Sequence, residues 1–152
     1  HCKKNTDMEI KYMFWLIRLF LLLMSVMYLL IGVWAILDPL LNAVDISVPS
    51  FMDIVGLSVS SEIGYSEIAG LYGGLNLGIG LMCLVGIFKE NIGIFAIKFI
   101  TFLTGSIASG RVIFSMLPST PSFLNSFFIT EVCTCLVGIG LLKYLRDLNK
   151  ST

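Results

Sequence analysis

The chain has 152 residues, of which 57% are hydrophobic and 13% charged, and its mean hydropathy is +0.93. Soluble domains carry about 25% charged residues, so this composition excludes an ordinary water-soluble domain. Ten basic residues cancel ten acidic ones, which leaves no basic field to hold nucleic acid.

Four apolar runs organise the chain, at 12–37, 66–88, 92–117 and 123–145. At about 1.5 Å per helical residue, each can cross a hydrocarbon core roughly 30 Å thick. One such run could be a buried core helix, but four predict an all-α polytopic membrane protein. The remainder is too short for a second fold, so 1–152 reads as a single membrane domain.

The seven residues before Met8 read either as a tag or trimmed remnant, or as a native start that has lost its Met. The run 12–37 is longer than the apolar part of a signal peptide and no small-x-small site follows it. It is therefore expected to stay in the membrane. Lys3, Lys4, Lys11 and Arg18 flank or enter its start, and Tyr12, Trp15 and Trp34 suit interfacial aromatic belts.

Residues 38–65 form a long connection without Lys or Arg that contains Asp38, Asp45, Asp53 and Glu62. Within it, residues 51–57 predict a short amphipathic helix lying on the outer interface, where it could cap the bundle mouth or shield it.

The second run carries Gly70, Gly74 and Gly78, two successive G-x-x-x-G steps on one helical face. Such a face lets a neighbouring backbone approach closely. At 100° per residue Glu67 falls on the glycine face, while Tyr72, Asn76 and Cys83 share a roughly opposite one. The third run answers with Gly105/Ser109 and Ser106/Gly110. Short links at Lys89 and at 118–121 predict antiparallel neighbours and an antiparallel four-helix bundle.

Charge asymmetry predicts the orientation. The N-terminal lysines, Lys89, and Lys143, Arg146 and Lys150 near the C-terminus place both termini and the Lys89 turn in the cytoplasm. The acidic first connection and the uncharged Pro118–Pro121 turn then face outward. Lys98 and Arg18 lie near the inner surface, where long side chains snorkel to water.

Three ionisable residues then fall in the outer half. Glu67 starts the second run. Arg111 is roughly 9 Å inside the third, and Glu131 roughly 12 Å inside the fourth. A charge in hydrocarbon costs several kcal/mol unless paired or wetted. The expected arrangement is one cluster, Arg111 bridging Glu67 and Glu131, with Tyr72 and Asn76 as secondary polar partners or else facing the first helix or another chain. One arginine cannot neutralise two desolvated carboxylates, so one Glu is expected to hold a proton near neutral pH. The cluster reads either as a structural lock or as a ligand, proton or ion site.

No metal or cofactor site is expected. Cys133 and Cys135 point about 200° apart on a helix, and the one histidine is His1. Neither pattern suits a metal or haem centre.

Ser66-Glu67-Ile68-Ala69-Gly70-Leu71-Tyr72-Gly73-Gly74, followed by Asn76-Leu77-Gly78, resembles an A-E-[IL]-R-x-x-Y-G-G-like motif. That motif marks an uncharacterised bacterial family of small four-helix integral membrane proteins, distantly similar to DoxX-like proteins. Gly110-Arg111, the Pro-containing turn and Glu131 extend the resemblance, while Ala69 departs from it where many relatives show Arg. The resemblance implies the fold and a bacterial inner-membrane home, and it implies no activity.

Two functions compete on these grounds. One is an accessory or scaffold subunit, with other membrane subunits or further copies of the chain as partners beside the lipid bilayer. The other is a small-molecule, lipid or quinone binder, or a proton-coupled carrier, working through the Glu/Arg cluster. An enzyme ranks last, because no nucleophile–base pair or phosphate loop is present.

Overall fold

The computed structural model describes residues 2–43, 49–116 and 124–151. The 118–121 turn and Asp45 lie outside them. About 90% of the described residues are helical, and no strand occurs among them. The elements are α1 (Cys2–Ala43), α2 (Phe51–Val55), α3 (Glu62–Ile68), a π-turn (Ala69–Gly74), α4 (Leu75–Phe88), α5 (Glu90–Phe114) and α6 (Ser126–Ser151). Four stretches are long and apolar enough to cross a membrane: Ile10–Pro39, Glu62–Phe88, Glu90–Phe114 and Ser126–Leu148.

The helix limits differ from those of the apolar runs. α1 continues through Asp38 and Pro39 to Ala43, because a helix can outlast its hydrophobic stretch when its last turns find other partners. α3 begins at Glu62, where Ser61 accepts a hydrogen bond from the Gly64 N–H at 3.3 Å. That N-cap starts the helix four residues before its apolar run. α5 stops at Phe114, and the Ser115 N–H closes its last turn onto the Arg111 carbonyl. α6 starts at Ser126, capped by the Asn125 side chain, which accepts from the Phe128 N–H at 2.9 Å.

The interior is built on close backbone approaches. Gly32 of α1 lies against Gly73 and Leu77, and a methyl added to it would come within 2.7 Å of the Leu77 nitrogen. Gly80 sits under Leu29 in the same way, and the Ser25 hydroxyl donates to the Gly80 carbonyl at 3.0 Å. Gly86 and Gly93 touch where α4 turns into α5. Around these contacts Met13, Ile17, Phe20, Leu21, Tyr28, Ile79, Cys83, Ala96, Ile97, Ile100 and Leu148 form the core.

The glycine face expected to pack inside does not. Gly70 and Gly78 have no neighbour within 4 Å of an added methyl, and Gly74 meets only the Ala69 carbonyl of its own helix. The buried glycines of this run are Gly73, Gly80 and Gly86. The second run meets α1 through the face that holds Gly73, Gly80 and Cys83, and the Gly70/Gly74/Gly78 face is turned away from it.

The helices pack in chain order. α1 makes its largest contact with α4, α4 packs on α5 and α5 on α6, while α1 touches α6 only slightly. Leu148 reaches the α1 end of the core, so Met13 and Leu148 mark one end of the molecule. Asp38, Phe51 and Tyr72 mark the other, called here the loop end.

Candidate functional site

Two polar constellations occupy the loop end. The first joins α5 to α6. The Arg111 Nε donates to Glu131 Oε2 at 2.8 Å and Nη2 donates to Oε1 at 3.0 Å. This is the bidentate fork in which a planar guanidinium matches a carboxylate best. The side chains are 36% and 16% exposed, so Glu131 lies deeper than its partner. Arg111 stands in the last turn of α5, where the exposed carbonyl ends of the helix also favour a cation. Tyr28 of α1, buried in the core, lies within electrostatic reach of the Glu131 carboxylate.

The pair lies shallower than the apolar runs imply. Arg111 is three residues from the end of α5 and Glu131 five from the start of α6, roughly 5 and 8 Å by the helical rise. Both helices end earlier than their apolar runs, which is why the guanidinium remains a third exposed.

Glu67 does not join this pair. It is exposed, and among the described residues it forms no ion pair. The expected three-residue cluster is therefore a two-residue pair, one cation to one anion. Tyr72 and Asn76 are not partners of Arg111 either. Asn76 Nδ2 donates to the Tyr72 carbonyl at 2.6 Å, which engages its amide within its own helix. The Tyr72 ring stands edge-on to Phe51, with centroids 5.6 Å apart.

That ring belongs to the second constellation, which the sequence reading did not anticipate. Asp38 is 2% exposed. Its Oδ1 accepts from the Phe51 N–H at 2.8 Å and its Oδ2 from the Ser50 hydroxyl at 3.0 Å. The carboxylate of α1 thus caps α2 from outside, satisfying one of the bare N–H groups at a helix start. Phe51, 3% exposed, plugs in between Trp34 and Tyr72, making edge contacts with both rings. Gly56, at φ +69°, closes the other end of α2 in the left-handed conformation that glycine adopts cheaply. Trp34 was assigned to an interfacial belt, but its Nε1 is buried with no hydrogen-bond partner among the described residues. The short helix expected over 51–57 is present as α2, and the further sequence signal for this site is Asp38-Pro39 directly after an apolar run.

An open groove of about 590 Å³ lies on α5 and α6, lined by Thr101, Phe102, Gly105, Ser109, Ile113 and Ile139 among others. Gly105 lies beside the Cys135 sulfur, and Ser109, exposed, donates to the Gly105 carbonyl at 2.8 Å. Among the described residues, no three His, Cys, Asp or Glu side chains converge as metal ligands would. No family model, curated protein or solved structure matches the chain.

Proposed function

We propose that the chain is an accessory or scaffold subunit of a larger membrane assembly. In this reading its four long helices form an antiparallel bundle in a bacterial inner membrane, with both termini cytoplasmic. The observation that carries it is the bare face of Gly70, Gly74 and Gly78, where an added methyl would meet no other helix of the chain. In lipid, a face without side chains gains little from acyl tails and much from a second helix backbone, because close van der Waals contact replaces the missing hydrophobic drive. The charge asymmetry of the connections supports the orientation, and the motif around Tyr72 supports the bacterial setting.

The alternative, a lipid, quinone or small-molecule binder or a proton-coupled carrier, draws on one observation: the Arg111 side chain is 36% exposed. It ranks second because the guanidinium already holds a matched carboxylate. Uptake or binding that depends on pH and disappears in Glu131→Gln would reverse that order.

The test of the leading reading is mild-detergent purification of the tagged protein from its native membrane, with Gly74→Leu as the comparison. The expected result is a companion chain at fixed stoichiometry, lost in Gly74→Leu while the variant keeps its helicity. A wild-type protein that is always alone and fully active would end the proposal.

A further inference from the structure

α5 and α6 are unbroken α-helices, so residues can be placed along and around them by count. Contacts step down α6 as they step up α5: Thr101 fits against Gly138, Gly105 lies beside the Cys135 sulfur, and Arg111 is forked to Glu131. From the Thr101–Gly138 contact toward the Met13/Leu148 end, Lys98 is three residues away on α5, and Lys143 and Arg146 are five and eight away on α6. By the helical rise these are roughly 4.5, 7.5 and 12 Å, so the three cations share one band. At 100° per residue Lys98 falls within about 20° of Gly105, and Lys143 and Arg146 within about 40° of Ile139. Gly105 and Ile139 line the open groove. The cations therefore stand on the groove's side of both helices, beyond its end.

All three are exposed, and among the described residues none is in an ion pair. Glu90 and Asp147, the acidic residues of α5 and α6 at this end, are exposed and leave them unpaired. Lys98 is eight residues into α5, roughly 12 Å from its start. It stands one turn from Phe95 on one side and from Phe102 on the other, both exposed. At that depth in a bilayer an ammonium must reach along its stem to an anion or to the surface. The anion available at that boundary is a lipid phosphate. One acyl layer is about 15 Å deep, half of a core roughly 30 Å thick. Counted from the Lys143 level, it passes Phe102 and ends near the level of Ser106, inside the groove. Cations, exposed rings and a small-residue floor thus follow one another in the order of a phospholipid's head and tail.

We infer that Lys98, Lys143 and Arg146 hold the phosphate of an anionic glycerophospholipid, one acyl chain of which lies along α5 and α6 and enters the groove at Thr101 and Gly105. The inference rests on the membrane placement proposed above and owes nothing to Arg111. A basic cluster between membrane helices on the cytoplasmic side suits an acidic head group. A zwitterionic head brings an ammonium of its own, which the same three cations repel.

The test purifies the full chain in mild detergent, supplies phosphatidylglycerol and phosphatidylcholine in equal amounts, and reads the retained lipid by native mass spectrometry. The expected result is one phosphatidylglycerol per chain, preferred about tenfold. Lys98→Gln alone should lower that preference about threefold, and Lys98→Arg, which keeps the charge, should keep it. Lys98→Gln combined with Lys143→Gln and Arg146→Gln should abolish it without loss of helicity, since all three side chains are exposed. Lys11→Gln combined with Arg18→Gln removes charge from α1 at the same end and should leave the preference in place. An equal loss in that α1 variant, or displacement of the lipid by free glycerol phosphate, would overturn the inference. Equal retention of the two lipids by the wild-type chain would overturn it and leave the membrane placement standing. Recovery of the chain from the soluble fraction would overturn both.

Discussion

A carboxylate shielded from water must be held by donors or it costs several kcal/mol. Asp38 satisfies that demand with the Phe51 N–H and the Ser50 hydroxyl, residues 13 and 12 positions away. Asp38→Ala removes both acceptor atoms and should cost about 1–2 kcal/mol, the range of a lost helix cap. The loss should appear locally, as faster amide hydrogen exchange over residues 51–55, with little change in the α4 and α5 core. Unchanged exchange at Phe51 would show that the cap does not hold α2. The Arg111–Glu131 fork calls for a double-mutant cycle. Glu131→Gln and Arg111→Leu should each lower resistance to denaturant in lipid or detergent by roughly 1–3 kcal/mol, since each leaves an unmatched charge or donor. Arg111→Leu combined with Glu131→Gln should cost clearly less than the sum of the two. Additive losses would mean that the two side chains act independently. At this scale the sequence was half legible. Arg111 and Glu131 could be brought together because depth along a helix is countable. Asp38 could not, because its partners lie across a connection whose path no periodicity describes. Glu67 misled, because an acidic residue at the start of a run can sit as well in water as in a cluster.

The helices themselves were legible from hydropathy alone, and their limits were not. Apolar content reports what lipid or a core tolerates, whereas caps at Ser61, Asn125 and Ser115 decide where the hydrogen-bonded spiral begins and ends. The π-turn at Ala69–Gly74 lies beyond hydropathy altogether, because it changes the backbone register and leaves composition untouched. Gly73 and Gly74 within it carry no side chain, and Gly73 leaves room for Ile36 of α1. A pair of adjacent glycines was the one available hint. The consequence is testable at the glycines. Gly32→Ala would force a methyl against the Leu77 backbone nitrogen, and a backbone cannot swing aside as a side chain can. It should destabilise by about 1–3 kcal/mol, the usual cost of overpacking. Gly140→Ala has open space around it and should be neutral or stabilising by about 0.5–1 kcal/mol through helix propensity. Denaturant midpoints of the two variants, measured side by side, check the pair. The opposite ranking would mean that α1 does not approach the π-turn so closely.

At the scale of the whole molecule, α6 is the loosest member. Only 11% of its most apolar stretch is buried, against 28–33% for the other three long helices. Its attachment is concentrated at a few points. Near the loop end the Arg111 fork holds it, further along Gly138 fits against Thr101, and at the other end Leu148 is buried in the core with Leu141, Leu142 and Leu145 packed beside it. Between these points Leu136, Val137 and Ile139 are exposed. In lipid, such residues gain nothing by turning inward, so their truncation removes little. Leu148→Ala, by contrast, leaves a gap in the core, and should cost about 2–3 kcal/mol, the lower part of the range for core leucines. Leu136→Ala should change stability by less than about 0.5 kcal/mol. The difference should also be local: in Leu148→Ala, amide hydrogen exchange should speed up near the C-terminal end of α6, while the α4–α5 contact at Gly86 and Gly93 stays protected. Equal sensitivity at Leu136 and Leu148 would mean that another surface, supplied by a neighbouring chain, covers the outside of α6.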